Sequence, residues 1–255
     1  MRAVLLLFGL LPVLWAAACS AGRDEPDARI AVASNFREAA LALEQDFEDT
    51  SGYDISPVFG ATGQLYAQIS NGAPYDVMLS ADRDRPERLV ADGLAVEDSR
   101  FTYATGKLVL WSADEARLAG KEGPDILIED DFRALAIANP DLAPYGAAAM
   151  QTLQSLGLSQ TLSDKLVRGQ SIGQTYSMVA SGNAELGFVA SSQVLTPSSA
   201  GGAGWPVPVN LHEPIRQDAV LLMRANDNAA ARRFMDYLKS PDARRIIQGY
   251  GYETG

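Results

Sequence analysis

The sequence has very few of the residues, cysteine and histidine, that zinc centres and disulfide-stabilised folds require. It contains one cysteine, Cys19, and one histidine, His212, among 255 residues. A single thiol cannot form an intrachain disulfide, and one imidazole with one thiolate is too few for an ordinary zinc site. The sequence therefore excludes a disulfide framework or a zinc centre as the basis of the fold, and it predicts no direct bond between protein and metal.

Basic residues are also scarce. The chain has 21 Lys and Arg residues against 32 Asp and Glu residues, which gives a formal net charge of −11. Such a surface repels nucleic acids and anionic lipid headgroups, so we expect no nucleic-acid partner. An anion can still bind to an acidic protein if neutral donors line the binding site.

Long apolar runs are absent after the amino terminus, and no later segment is long enough to cross a bilayer. Met1 and Arg2 precede an apolar stretch at residues 3–14, and small residues follow at 16–20. A charged start, a short apolar stretch and small residues are typical of a secretory signal peptide. We therefore expect residues 1–18 to be removed and the protein to be exported to the periplasm.

Cys19 directly follows three alanines, and two interpretations stay open. Cleavage before Cys19 would leave it as the lipid-bearing first residue of a membrane-anchored lipoprotein, with residues 19–28 as a flexible tether. Alternatively, Cys19 is an incidental residue in a signal peptide that is cut nearby. In both cases roughly 230 residues remain, enough for two modest domains.

Short β-branched runs alternate with stretches of helical period along the rest of the chain. Such alternation indicates an α/β fold with parallel βα units. The pattern predicts strands at residues 29–33, 54–59, 77–80, 134–138 and 186–189, extended segments at 101–112, 205–210 and 215–223, a loop at 196–204, and helices at 35–50, 64–71, 84–92, 145–156, 162–168, 173–181, 228–239 and 242–248.

Two crossings divide this pattern into two lobes. The extended segment at 101–112 is broken at Thr105-Gly106, which indicates a first crossover. We expect residues 29–106 and 211–255 to form the first lobe and residues 107–210 the second. The ligand then lies in the cleft between the lobes, where strands end and helix amino termini converge.

Four segments end a strand or extended piece with small or hydroxyl-bearing residues and then begin a helix. Each offers unpaired backbone N–H groups at the positive end of a helix. One such segment alone is most simply a helix cap, but four across two lobes indicate an anion or polar ligand in the cleft. They lie at residues 33–35, 60–63, 144–146 and 171–173, and Ser34, Thr62 and Tyr145 add hydroxyl donors.

The combination of these motifs resembles the periplasmic molybdate-binding proteins of ABC importers. The resemblance covers essentially the whole mature chain, and it implies a type II periplasmic-binding-protein fold with two αβα lobes. It also implies a membrane importer permease as partner and no cofactor besides the ligand, and we expect a monomer. The matching segments are residues 31–35, 60–69, 72–82, 139–140, 143–146, 182–189 and 234–241.

The resemblance also implies the residues that hold the oxyanion. Thr62 stands where serine is usual, which keeps the hydroxyl. Ala190 stands where some members have a ligand-binding tyrosine, so Tyr145 is the candidate for the missing phenol. The implied ligand positions are Ser34, Asn35 beside it, Thr62, Tyr145, and Ile172 through its backbone N–H.

The hydrogen-bonding groups of the four segments limit which anion can bind, independently of the resemblance. A phosphate site must accommodate a ligand proton, which favours a carboxylate acceptor, and none of the four segments contains one. The sequence thus favours a fully deprotonated dianion such as molybdate, tungstate or sulfate, and only the resemblance selects molybdate or tungstate. A carrier of sulfate or another small anion on the same fold is the alternative.

A serine hydrolase is the second alternative, because residues 169–173 fit the G-x-S-x-G nucleophile elbow around Ser171 and His212 lies downstream. Two features argue against it. Residues 162–168 are predicted to form a helix, whereas the elbow follows a strand. Glu185 is the only acid between Ser171 and His212, which is cramped for a triad.

Overall fold

The computed structural model describes residues 25–121, 123–129, 131–194 and 201–255. The predicted signal peptide, Cys19 and residues 19–24 of the predicted tether lie outside the described residues. Within the described part of the chain, every helix is too short or too polar to span a membrane.

The described residues form ten strands and nine α-helices. The strands are β1 Ala28–Ala33, β2 Ile55–Gly60, β3 Val77–Leu79, β4 Phe101–Gly106, β5 Leu108–Ser112, β6 Leu135–Ala138, β7 Leu166–Gly169, β8 Leu186–Ala190, β9 Ala203–Pro206 and β10 Ile215–Leu221. The helices are α1 Arg37–Ser51, α2 Thr62–Ser70, α3 Asp84–Ala91, α4 Gly123–Glu129, α5 Pro144–Ser155, α6 Ile172–Ala180, α7 Ser191–Val194, α8 Ala229–Tyr237 and α9 Pro241–Gly249.

The strands form two mixed sheets of five strands each. The first sheet has the order β2-β1-β3-β10-β4, and the second has the order β7-β6-β8-β5-β9. In each sheet three strands are parallel: β1 pairs with β2 and β3, and β6 pairs with β7 and β8. The chain enters the second sheet between β4 and β5 and returns between β9 and β10. The structure thus confirms the α/β prediction.

The first βα unit shows why these residues form these elements. β1 is buried along almost its whole length, and α1 covers it with Ala39, Leu43 and Phe47, which share one face at helical spacing. Gly52 ends the helix at φ 74°, and its N–H donates to the carbonyl of Glu48. A left-handed residue at this position favours glycine.

Two predictions of local structure were wrong. Residues 162–168 form a 3-10 turn at Ser163–Lys165 and then strand β7, because Leu166 and Val167 pair with Leu135 and Ala136 of β6. Tertiary pairing therefore overrides the local helical pattern. The predicted loop at 196–204 is wrong at its end, where Ala203 and Gly204 belong to β9 and pair with β5.

Candidate functional site

Four loops that follow β1, β2, β6 and β7 meet at one small cavity between the two sheets. The cavity has a volume of about 10 Å³, which is near the size needed to hold one water molecule. It lies at the carboxyl ends of these parallel strands, where α/β folds bind ligands. The structure brings all five predicted ligand positions to this cavity: Ser34, Asn35, Thr62, Tyr145 and Ile172.

Three helices begin at the cavity. α2 begins at Thr62, α5 at Pro144 and α6 at Ile172, and the first N–H groups of a helix have no acceptor within it. In the described residues the N–H groups of Thr62, Tyr145 and Ile172 make no hydrogen bond. Several unpaired N–H donors therefore lie around the cavity, at helix amino termini, where the helix dipole is positive.

Two hydroxyl groups add to these donors. Ser34 Oγ accepts a hydrogen bond from the N–H of Gly173 at 3.2 Å, and Thr62 Oγ1 accepts one from the N–H of Ala81 at 3.2 Å. Each hydroxyl oxygen accepts in these contacts, so its own proton remains available to an acceptor in the cavity.

Tyr145, in the first turn of α5, also lines the cavity and carries a third hydroxyl. Its side chain is only 1% exposed, and burial, with Tyr252 and Tyr103 nearby, raises its phenol pKa well above the usual value. The phenol therefore remains a neutral donor at physiological pH. The backbone at Gly106 leaves room for it, since a Cβ there would lie 1.9 Å from Tyr145 Oη.

The side chain of Asn35 is committed to a buried network. Its Nδ2 donates to Gln217 Oε1 at 2.8 Å and to Tyr252 Oη at 3.0 Å. Its carbonyl accepts hydrogen bonds from Ser192 Oγ at 2.9 Å and from Tyr252 Oη at 2.8 Å. Asn35 thus lines the cavity without a side-chain N–H to spare.

Sequence reasoning missed Gln217, Tyr252 and Ser192. Gln217 and Ser192 are both buried, but their sequence neighbours are polar or charged, so neither stands out in the sequence: Gln217 lies between Arg216 and Asp218 in β10, and Ser192 lies in α7. Tyr252 lies near the carboxyl terminus and carries no local signal, because only the tertiary fold brings it to Asn35.

The cavity lining in the described residues contains no charged side chain. Arg85 lies beside α2 but does not line the cavity: it pairs with Asp82 and donates to the carbonyl of Asp141 at 2.7 Å. The described residues also contain no group of three or more acidic, His or Cys side chains suited to a metal ion. The site therefore offers neutral donors and no carboxylate acceptor.

A larger cleft adjoins the cavity on one side. It has a volume of about 560 Å³ and shares Ser34, Asn35 and Gly60 with the cavity. Arg37 lies in this cleft with its guanidinium 4.0 Å from the centroid of the Phe59 ring. Glu38 lines the same cleft, so the mouth carries one charge of each sign.

The nucleophile-elbow motif follows a strand that the sequence did not predict, since β7 precedes Ser171, and the predicted helix follows it as α6. The contacts nevertheless differ from a triad. Ser171 Oγ caps α6 by accepting from the N–H of Gln174 at 3.2 Å, and the half-buried His212 contacts the carbonyl of Glu213 through Nδ1. No hydrogen bond among the described residues joins Ser171 to His212.

Comparison with known proteins identifies similar chains. A family model described as bacterial extracellular solute-binding protein matches residues 28–253. The molybdate-binding protein ModA of Rhodobacter capsulatus is 50% identical over 224 residues, covering 88% of this chain and 87% of that protein. ModA of Azotobacter vinelandii is 49% identical over 236 residues, covering 92% of each. The solved Azotobacter vinelandii periplasmic molybdate-binding protein superposes with a TM-score of 0.86 at 40% identity, covering 89% of this chain and 99% of that one.

Proposed function

Because the chain belongs to the family of bacterial extracellular solute-binding proteins, we propose that it captures molybdate, or its analogue tungstate, and delivers it to a membrane ABC importer. Its fold is the type II periplasmic-binding-protein fold, with the ligand cleft between two αβα lobes. The relatives that are 49% and 50% identical are named as molybdate-binding proteins. The proposed activity is therefore binding and delivery rather than catalysis.

The observation that carries this proposal is the uncharged cavity with its convergent donors. Hydroxyl and backbone N–H groups line it, and none of the described residues brings a carboxylate to it. A dianion without protons can accept a hydrogen bond from every donor, whereas phosphate at neutral pH carries at least one proton that needs an acceptor. The donor set thus favours molybdate, tungstate or sulfate over phosphate, and the relatives favour the two larger anions.

We assign the donors in this proposal as follows. Ser34, Thr62 and Tyr145 donate through their hydroxyl groups, and Ile172 donates through its backbone N–H. Asn35 donates through its backbone N–H, since its amide hydrogens are used by Gln217 and Tyr252. Ala190 is buried at the end of β8 and does not line the cavity, which supports Tyr145 as the phenol of the site.

Binding in this proposal is coupled to movement of the lobes. We take residues 29–106 with 211–255 as one lobe and 107–210 as the other. An anion with four oxygens exceeds the cavity volume of about 10 Å³, so its walls must separate to admit it and adjust around it. The two crossings between the sheets allow this movement by a hinge.

Thermal unfolding in the presence of single anions tests the function. A ligand that binds only the folded protein raises its stability by about 2.7 kcal/mol at a hundred times the Kd. We expect a clear rise in melting temperature with molybdate and tungstate and none with equal phosphate. A rise with phosphate alone would refute the proposal.

Two further features stay predictions of this proposal. Lipidation of Cys19 would be detected as a diacylglyceryl mass on the processed amino terminus by intact-protein mass spectrometry. A monomer is the expected state with and without molybdate, which light scattering measures.

A further inference from the structure

Gln217 lies at the centre of a buried network directly behind the cavity. Its side chain is fully buried in β10, and the pairing of β10 with β4 shifts register between Gln217 and Asp218. A β-bulge of this kind redirects side chains relative to a regular strand. A fully buried amide needs partners for its polar atoms, and Gln217 finds them around the site.

The partners of Gln217 determine the orientation of its amide. Oε1 accepts from Asn35 Nδ2 at 2.8 Å and from Tyr103 Oη at 3.2 Å. Nε2 faces the second sheet and donates to Tyr145 Oη at 3.3 Å. Gln217 therefore connects two residues that line the cavity, Asn35 and Tyr145.

The donated hydrogen bond has a consequence for the phenol. A phenol oxygen that accepts from an amide keeps its own proton for a different acceptor. Tyr145 also forms a side-chain hydrogen bond with Tyr252, whose oxygen is engaged with Asn35 and Ser192 as well, so an anion in the cavity has to compete with Tyr252 for this proton. A dianion in the cavity is the stronger acceptor, because hydrogen bonds to charged groups are about twice as strong as neutral ones.

We propose that Gln217 is a positioning residue that directs the hydroxyl proton of Tyr145 into the cavity, and so tunes the site for an oxyanion that only accepts hydrogen bonds. This inference rests on the proposed function and deepens it. Gln217 does not touch the anion and acts through Tyr145. It also links β10 of the first sheet to α5 beside the second, so the contact forms when the lobes are together.

A double-mutant cycle tests the connection with molybdate as the probe. Gln217→Met keeps the length of the side chain but cannot donate, and Tyr145→Phe removes the hydroxyl. We expect each single variant to weaken molybdate binding roughly tenfold or more, and the double variant to bind about as weakly as Tyr145→Phe alone. If the fold-losses in affinity of the two single variants multiply in the double variant, the proposal is overturned, because Gln217 then acts independently of the phenol. Gln154→Met, at an exposed position of α5, is the matched control and should bind like the parent.

The pH dependence of molybdate binding by a second variant shows whether Gln217 acts on the phenol proton or only fills space. In Gln217→Glu, a protonated carboxyl group can donate to Tyr145 as the amide does, whereas a carboxylate accepts and turns the phenol proton away from the anion. The titratable and charged groups around this position are the phenols of Tyr103, Tyr145 and Tyr252, Asp218, which is paired with Arg83 and Arg100, and Asp82, whose charge acts on Tyr103.

Molybdate affinity of Gln217→Glu should fall at least tenfold between about pH 6 and about pH 9, while the affinity of the parent stays nearly constant. A profile parallel to that of the parent would overturn the proposal even if the variant is less stable. If the parent itself fails to bind molybdate or tungstate, the proposed function fails and this inference with it. If the parent binds molybdate but the free-energy changes of the two single variants add up in the double variant, only this inference fails.

Discussion

The backbone N–H of Gly173 donates to Ser34 Oγ at 3.2 Å, and this contact joins the start of α6 to the loop after β1. It therefore bridges the two sheets at the rim of the cavity. On another side of the cavity, the N–H of Gly63 donates to the carbonyl of Leu142 at 2.8 Å. The two lobes thus touch through the segments that carry the proposed ligand donors, so ligand binding and lobe closure depend on the same groups.

Ser34 and Ser171 form a matched pair of variants on opposite sides of this rim. Ser34→Ala should weaken molybdate binding by about 1.5–3 kcal/mol, the usual effect of losing a hydrogen bond to a charged group. Ser171→Ala removes the cap of α6 and should lower the free energy of unfolding by about 1 kcal/mol with a smaller effect on affinity. Titration calorimetry and denaturant unfolding measure the two effects. Equal affinities for both variants would remove the Ser34 hydroxyl from the site.

Arg85 should control how long the ligand stays bound. Its guanidinium pairs with Asp82 and donates across to the carbonyl of Asp141, so it stabilises the closed arrangement. Arg85→Met should raise the rate of molybdate dissociation by about three- to tenfold, with a smaller change in association rate. Stopped-flow fluorescence measures both rates. Arg88→Met, on the exposed face of α3, is the control, and equal dissociation rates for the two variants would contradict this role.

Gly106 should be intolerant of any side chain. A Cβ at this position would lie 1.9 Å from Tyr145 Oη and 2.7 Å from Gln217 Nε2. Gly106→Ala should therefore displace the phenol and weaken molybdate binding at least tenfold, an effect comparable to losing a hydrogen bond to a charged group. Gly249→Ala is the matched control, since a Cβ there meets nothing within 4 Å. Parent-like affinity of Gly106→Ala would show that the phenol position is unimportant.

Glu44 should make stability depend on pH. Burial, together with the nearby carboxylates of Glu48 and Asp54, raises its pKa from 4.5 to about 7. The folded state then binds the proton more tightly than the unfolded state, so this contribution is present below about pH 4.5 and is lost as the pH rises to about 7.

Replacing Glu44 with Gln tests this dependence. Glu44→Gln should raise the melting temperature at about pH 8 and change it little at about pH 5. Glu87→Gln, at an exposed position of α3, serves as control and should show no such difference between the two conditions. The same melting shift for Glu44→Gln at both pH values would assign its effect to packing rather than to the proton.

The sequence predicted the elements around the site better than the contacts behind it. Ser34, Thr62 and Ile172 follow strands and begin helical segments, and this local pattern can be read from the sequence alone. The strand β7 was missed because its pairing with β6 depends on residues about thirty positions away. Hydrogen bonds such as Asn35 to Gln217 join residues 182 positions apart, and no local pattern encodes them.

Titration calorimetry with molybdate, tungstate, sulfate and phosphate, each added to the mature protein, tests the central claim most directly. The uncharged donor cavity leads us to expect tight one-to-one binding of molybdate and tungstate and weaker binding of sulfate, with phosphate the weakest because its proton meets no acceptor. Tight binding of phosphate together with no heat from molybdate would contradict the account.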